Sequence, residues 1–219
     1  MKGTFMTRCK YVLILLGIFA LNYSIQLFLL FLLDFKLMNI ITIILLVIYM
    51  LSSVGLTIWI AQKFKILGHD LRPVKKYISW IFLGFGVVFL NNILGAILLN
   101  LEGATTTANQ ASVESITQRA PMVIMALLIM VVAPVMEEVL CRGIIPNLIF
   151  KDYEKIGYII ATLLFALLHH PTSLGSWVIY GGVSAVLAFL AYKSKHLEVS
   201  IALHVLINTI VFILIKISP

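Results

Sequence analysis

The sequence predicts an all-α bundle of transmembrane helices, and three observations support this fold class. Of the 219 residues, 62% are hydrophobic and only 11% are charged, a composition that excludes an ordinary soluble domain. Apolar segments recur along the chain, and most reach the roughly 20 residues that a helix needs to cross a hydrocarbon core of about 30 Å. Only short polar connections separate these segments. We therefore expect one polytopic membrane domain over residues 1–219, located in the cell membrane.

Seven apolar segments are predicted to be helices. Their approximate ranges are 11–33, 38–61, 77–100, 121–150, 156–170, 177–192 and 199–216. The first is too long for the apolar core of a signal peptide and lacks a clear small-x-small cleavage site, so we expect it to stay in the membrane. The first three helices, within residues 1–120, carry no motif that we can assign.

The fourth segment, 121–150, is longer than one crossing requires. As a continuous helix it would reach about 45 Å at ~1.5 Å per residue, so it must tilt, protrude or break. Proline removes a backbone donor and crowds the carbonyl four residues earlier, so Pro134 and Pro146 are the expected kinks. They would free the carbonyls of Met130 and Arg142, respectively. A break at either proline would raise the number of spans from seven to eight.

Lysine and arginine placement predicts the orientation of the bundle. If the N-terminus is cytoplasmic, twelve Lys and Arg residues lie in the cytoplasmic connections and three lie outside. The excess of positive charge on one side favours this arrangement. The basic residues are scattered in short loops, so the net charge of +7 indicates topology and contact with the lipid bilayer, not nucleic-acid binding. Cys9 and Cys141 give no disulfide framework.

Three charged side chains inside the fourth segment are the first candidate functional residues. Ionisable groups at bilayer depth are costly and therefore indicate function by default. Glu138 and Arg142 are four residues apart, so they share a helix face and can form an ion pair. Glu137 points about 100° away and needs a partner on another helix. A Glu–Arg pair alone would equally suit a buried structural bridge or the ion site of a transporter.

Two later segments supply polar partners for Glu137. His169 ends the fifth segment, and helix arithmetic places it about 20 Å from the cytoplasmic end, at the depth of Glu137. His204 and Asn208 are again four residues apart on one face of the seventh segment. The same arithmetic makes His204 shallower by about 12 Å, unless tilt or a recessed helix start closes the gap. Together these residues place at least five polar side chains on three helices.

Three motifs in this order resemble the CAAX protease and bacteriocin-processing (CPBP, or Abi) family of intramembrane proteases. They are Glu-Glu-x-x-x-Arg at 137–142, Phe-x-x-x-His at 165–169 and His-x-x-x-Asn at 204–208. The resemblance covers roughly residues 121–212, which would form the catalytic core. It implies an endopeptidase that hydrolyses a peptide bond in a peptide or membrane-anchored protein.

The resemblance also implies a role for each motif residue. Glu137 would activate a water molecule, and His169 would share that water. His204 and Asn208 would stabilise the oxyanion. Glu138 with Arg142 would stabilise the site, with Phe165 packed behind it. The adjacent His170 is an alternative to His169, although the spacing from phenylalanine favours His169.

Two alternatives remain open at this point. Family members are also described as metalloproteases, and Glu137, His169 and His204 would be the ligands if Zn²⁺ or another divalent metal is used. We place metal-free water activation first. The second alternative is a non-enzymatic membrane protein that acts in bacteriocin self-immunity or as a scaffold for a sensor kinase. A transporter is disfavoured because the sequence shows no internal repeat.

Overall fold

A computed structural model of the protein describes residues 5–217. Among these residues it contains helices and no strand, which confirms the all-α prediction. The helices are α1 Phe5–Asp34, α2 Ile40–Lys63, α3 Arg72–Lys76, α4 Ile78–Leu101, α5 Ala108–Arg119, α6 Met122–Ile149, α7 Glu154–Leu168, α8 Leu174–Ser194 and α9 Leu197–Ile217. A short 3₁₀ turn, Lys151–Tyr153, joins α6 to α7.

Six of these helices are long and apolar enough to cross a membrane, and all six coincide with predicted segments. They are α1, α2, α4, α6, α8 and α9. Helix α7, at the fifth predicted segment, has 15 residues and reaches about 22 Å, so it is shorter than the hydrocarbon core. The chain is therefore a multi-pass membrane protein, as predicted.

Ion pairs at the two ends of the bundle join loops that the predicted topology places on the same side of the membrane. Arg8 pairs with Asp152 at 2.8 Å, and Lys195 pairs with Glu154 at 2.7 Å. At the opposite end Arg119 pairs with Asp34 at 2.5 Å. The connections predicted to be cytoplasmic thus meet at one end, and the others meet at the far end. Helix α7 accordingly returns the chain from one end of the bundle towards the other.

Helix α6 is continuous and is the most enclosed helix of the bundle. In its most apolar stretch 56% of the residues are buried, against 22% in α1 and α4. The expected breaks at the prolines do not occur. Instead, α6 contains two π-helical stretches: Leu128–Val132 precedes Pro134, and Val139–Ile149 includes Pro146. The eight-span alternative is therefore wrong, because the helix continues through both prolines.

Helices α4 and α8 cross at glycine residues, and this crossing fixes the position of α8. A Cβ atom added at Gly175 would lie 2.6 Å from the Leu99 nitrogen and 2.8 Å from the Gly95 oxygen, so only glycine fits. The carboxylate of Glu102 accepts hydrogen bonds from the backbone N–H groups of Leu174 and Gly175, at 2.8 and 3.0 Å. It thereby satisfies free donors at the N-terminus of α8.

Candidate active site

The predicted ion pair between Glu138 and Arg142 is present and completely buried. Arg142 Nη1 lies 2.9 Å from Glu138 Oε1, and neither side chain is exposed. Arg142 Nη2 also donates to the hydroxyl and the backbone carbonyl of Ser184 on α8, at 2.7 and 2.8 Å. The guanidinium lies over the Phe165 ring, 4.6 Å from its centroid. Phe165 therefore packs against the charged pair, as the resemblance implied.

Two residues of α9 complete the surroundings of Glu138. Ser200 donates its hydroxyl to Glu138 Oε2 at 2.5 Å, and His204 Nδ1 lies 3.0 Å from Glu138 Oε1. Both carboxylate oxygens therefore have partners. Since a buried charge is tolerated only when it is paired and hydrogen-bonded, Glu138 is a structural centre that joins α6, α8 and α9. We call this set, Glu138, Arg142, Ser184, Ser200 and His204, the closed cluster.

His204 reaches the depth of the glutamates because α9 starts inside the bundle. A Cβ atom added at Gly143 would lie 3.4 Å from the side chain of Leu197, the first residue of α9. The start of α9 is therefore level with Gly143, well short of the end of α6. His204 is seven residues from Leu197, and Glu137 is six residues from Gly143, so the two side chains arrive at one level. The recessed helix start closes the predicted gap of about 12 Å.

Glu137 lies outside the closed cluster and faces a cavity. Its side chain retains 20% exposure, and its Oε2 is 3.8 Å from His204 Nε2. The cavity has a volume of about 400 Å³ and is also lined by His169, His204 and Asn208. It extends to the polar connection between α4 and α6, at residues 105–110. The structure thus places all four predicted residues, from three different parts of the chain, around one space.

His169 is held by its own helix and by two aromatic rings. Its Nδ1 lies 2.8 Å from the carbonyl oxygen of Phe165. Its ring contacts those of Phe165 and Tyr180, each at 4.5 Å between centroids. His170, the alternative, is exposed and has a left-handed backbone conformation with φ of 48°. Of the two histidines, only His169 lines the cavity.

Asn208 binds a carbonyl that the proline of α6 leaves free. Its Nδ2 donates to Ile129 O at 3.0 Å. The N–H of Ala133 bonds to Leu128 O in the π-helical stretch, and Pro134 has no N–H, so Ile129 O has no backbone donor. The prediction that Pro134 would free the carbonyl of Met130 is therefore wrong by one residue, because the π-helical register shifts the pattern. The second N–H of the Asn208 amide stays available.

The second proline, Pro146, lies inside the second π-helical stretch. Asn147 Nδ2 donates to the carbonyl of Arg142, which was predicted to be free, at 2.7 Å. The same amide nitrogen donates to Gly143 O at 3.0 Å. A side-chain amide thus binds a carbonyl of α6 near each proline, one from α9 near Pro134 and one from α6 itself near Pro146.

Hydrogen bonds also fix which nitrogen each histidine offers to the cavity. A carbonyl oxygen and a carboxylate oxygen only accept, so Nδ1 of His169 and Nδ1 of His204 both carry a hydrogen. In the neutral ring Nε2 is then an acceptor. His204 can consequently donate to an oxyanion through Nε2 only as an imidazolium. The oxyanion role that the resemblance implied for His204 therefore requires the imidazolium form.

The proposed metal ligands do not form a metal site in this arrangement. Among residues 5–217 no group of three or more His, Cys, Asp or Glu side chains is placed to bind a metal ion. Glu137, His169 and His204 line the same cavity, but they do not form such a group. We therefore derive no step that passes through a metal.

Sequence reasoning missed three contributors to the site: Tyr180, Ser184 and Ser200. Ser200 lies four residues before His204, so the spacing of Ser200, His204 and Asn208 on one helix face was a usable signal. Tyr180 and Ser184 are four residues apart on α8, but no motif marks that helix. Their partners, His169 and Arg142, become neighbours only through packing.

Comparison with known proteins shows which family this part of the chain resembles. Residues 119–210 match the family model of the type II CAAX prenyl endopeptidase Rce1-like proteins. The predicted family resemblance is confirmed. The matched segment begins just before α6, ends within α9 and contains all three motifs.

Three curated relatives extend the match beyond that segment. The UPF0177 protein YvdC of Lactococcus lactis is 32% identical over 175 residues, which cover 76% of this chain and 63% of the relative. The membrane-embedded CAAX protease MroQ of Staphylococcus aureus is 28% identical over 68% of this chain and 63% of its own length. The putative membrane peptidase YdiL of Bacillus subtilis is 27% identical over 63% of this chain and 56% of its own length. This chain therefore spans less than two thirds of each relative. No solved structure matches.

Proposed function

We propose that the protein is an intramembrane endopeptidase in which Glu137 activates the attacking water. One observation carries this proposal: of two adjacent glutamates, Glu138 is fully paired inside the closed cluster, whereas Glu137 faces a cavity shared with His169, His204 and Asn208. A carboxylate in a cavity, beside groups that orient water, suits general base catalysis. The family match and the names of the relatives MroQ and YdiL agree with a membrane peptidase.

The reaction is hydrolysis of an amide bond. Water bound between Glu137 and the Nε2 atom of His169 gives a proton to the Glu137 carboxylate while its oxygen bonds to the carbonyl carbon of the substrate. The carbonyl electrons move to oxygen and form an oxyanion. The Glu137 carboxyl then gives the proton to the departing amine as the C–N bond breaks. The products are a carboxylic acid and an amine, and Glu137 returns to its ionised form.

Asn208 and His204 are the proposed donors to the oxyanion. Asn208 has one N–H on Ile129 O, which fixes the amide plane and leaves the other N–H free. His204 acts as an imidazolium, bonded to Glu138 through Nδ1 and close to Glu137 through Nε2. His204 and Arg142 are then two cations beside the carboxylates of Glu137 and Glu138, so these four groups are neutral overall. Preorganised donors of this kind lower the barrier by several kcal/mol in a water-poor site.

The position of the cavity indicates the class of substrate. It lies inside the helical bundle, and apolar side chains such as Leu29, Met125 and Ile207 form much of its wall. Its other end is lined by uncharged polar residues, Thr105, Thr106, Thr107, Asn109 and Gln110. A peptide or a membrane-anchored protein with an uncharged, extended segment fits these surroundings.

The proposal is tested by comparing the peptide termini in membranes that contain either the wild-type protein or the Glu137→Gln variant. If the protein is a protease, new peptide termini should appear with the wild type and be absent with Glu137→Gln and with His169→Ala. Equal expression of the three proteins, measured by immunoblot, is the control. Termini that persist in both variants would overturn the proposed chemistry. A protective effect against a bacteriocin that survives both substitutions would instead support the non-enzymatic alternative.

A further inference from the structure

We propose that Tyr180 on α8 is a positioning residue that holds the His169 ring in place for catalysis. This inference rests on the proposed function, because it assigns a role in the reaction of the same site. Tyr180 belongs to none of the three motifs, and it lies on a helix without a motif. Its contacts nevertheless join the catalytic cavity to the polar segment that lies over it.

His169 needs support from outside its own helix. It is the first residue after α7, with φ of −91° and ψ of 13°, and His170 follows in the left-handed region. Because α7 ends here, helical backbone lies only on the N-terminal side of His169. The hydrogen bond from Nδ1 to Phe165 O anchors one edge of the ring, but the imidazole can still swing about that contact.

Two aromatic rings remove this freedom. The Phe165 ring is tilted by 32° against the imidazole, and the Tyr180 ring is stacked with it at 27°, each with 4.5 Å between centroids. Ring contacts at this distance are favourable and restrict the orientation of the imidazole. Phe165 comes from the helix of His169, but Tyr180 comes from α8, so it ties His169 to a second helix of the bundle.

The hydroxyl of Tyr180 has a separate partner. It lies 2.6 Å from the Thr107 hydroxyl and 3.4 Å from Asn109 Nδ2. Thr107 caps the N-terminus of α5, with its side chain accepting from the Gln110 N–H at 3.1 Å. The ring of Tyr180 therefore contacts the catalytic histidine, and its hydroxyl anchors the segment 102–119, which closes the far end of the cavity. Helix α8 is itself held rigidly by the glycine crossing with α4.

The two parts of Tyr180 can be tested separately by substitution. Tyr180→Phe keeps the ring over His169 and loses the bond to Thr107. Tyr180→Leu loses both. Tyr192→Leu is the matched control, because Tyr192 lies three turns further along α8 and contacts Tyr158, not a histidine. The substrate probe is an internally quenched peptide built on the most abundant cleavage site that depends on Glu137.

We expect Tyr180→Leu to lower kcat at least about tenfold with KM within about twofold, because misplacement of a catalytic group slows chemistry more than binding. Tyr180→Phe and Tyr192→Leu should keep kcat near the wild-type value. Tyr180→Phe should also speed hydrogen exchange in residues 102–119. Wild-type kcat in Tyr180→Leu, or an equal loss in Tyr180→Phe, would overturn the positioning role of the ring.

A second readout does not depend on cleavage. In protein labelled with ¹³C at histidine Cε1, the stacked tyrosine ring should displace the His169 resonance, which is assigned from the His169→Gln spectrum. Tyr180→Leu should abolish that displacement, whereas Tyr180→Phe and Tyr192→Leu should preserve it. If the wild type cleaves nothing, the proposed function fails while this spectrum still measures the contact. An unchanged His169 resonance in Tyr180→Leu overturns the present inference whatever the activity.

Discussion

Glu137 and Glu138 are neighbours in the chain but belong to two regions with opposite properties. The closed cluster around Glu138 has no exposed charge, and each carboxylate oxygen has a hydrogen-bond partner. The cavity in front of Glu137 is open to a small molecule or a peptide, and the side chain keeps 20% exposure. One residue step along a helix, about 100°, separates the two environments.

This difference shows how a membrane helix can hold two carboxylates and give them separate roles. Glu138 is completely buried and both of its oxygens are bound inside the closed cluster, so we assign the base to Glu137 instead. Glu138 fixes His204, whose other nitrogen reaches Glu137. In the proposed mechanism the closed cluster holds the geometry, and the cavity provides the space for chemistry. Substitutions in the two regions should therefore differ in their effects on stability and on cleavage.

The largest effect on stability is expected in the closed cluster. Arg142→Leu leaves Glu138 buried without its cation, and we expect a loss of about 3–5 kcal/mol in the free energy of unfolding. The measurement is unfolding in mixed micelles with increasing denaturing detergent. The control is Arg119→Leu, which removes a mostly exposed ion pair and should change little. A loss of similar size in both variants would contradict the account.

Asn208 lines the cavity and also binds a carbonyl of α6, so it should show an intermediate effect on stability. Asn208→Leu leaves the Ile129 carbonyl without a donor, at a cost of about 1–3 kcal/mol. Removing the free N–H should also slow cleavage about 10²- to 10³-fold. Thr209→Val is the control, because that hydroxyl bonds only to Val205 O in its own helix. Normal cleavage by Asn208→Leu would remove Asn208 from the oxyanion site.

Asn147 should affect stability without affecting cleavage. Asn147→Leu removes the donor to the Arg142 and Gly143 carbonyls, and we expect a loss of about 1 kcal/mol. Because the residue lies on the side of the closed cluster away from the cavity, the cleavage rate per folded molecule should stay at the wild-type value. The two values come from detergent unfolding and from a cleavage assay on the same preparation. A large loss of rate would show that the regions are not separable.

Glu102 should give the smallest effect, and the effect should depend on pH. The Gly175 N–H holds the pKa of Glu102 below its ordinary value of 4.5. The ionised carboxylate therefore stabilises the folded chain above pH 4.5, and this contribution is lost as the pH falls through the lowered pKa. Glu102→Gln should lower Tm slightly at about pH 7 and not at about pH 3. An equal difference in Tm at both values would contradict this assignment.

Much of the fold could be predicted, because the bilayer determines how long the apolar segments are and on which side the basic residues lie. The ion pair of Glu138 with Arg142 was also predictable, since helical spacing alone brings them together. The family resemblance came from three short motifs in order. These features depend on local sequence, and the structure agrees with them.

Other features depend on packing that the sequence does not encode locally. The π-helical stretches of α6 move the freed carbonyl from Met130 to Ile129, because the proline acts within an altered register. The recessed start of α9 brings His204 to the glutamates. Tyr180 and Ser184 join the site only because glycines let α8 approach α4 closely.

The most direct test of the two-region account compares Glu137→Gln with Glu138→Gln in one preparation series, with the free energy of unfolding and the cleavage rate measured for each. We predict that Glu137→Gln changes the unfolding free energy by less than about 1 kcal/mol and slows cleavage about 10²- to 10⁴-fold. Glu138→Gln should lose about 3–5 kcal/mol, because Arg142 is left buried without a counter-ion. Full cleavage by Glu137→Gln, or wild-type stability in Glu138→Gln, would contradict the division of roles between the two glutamates.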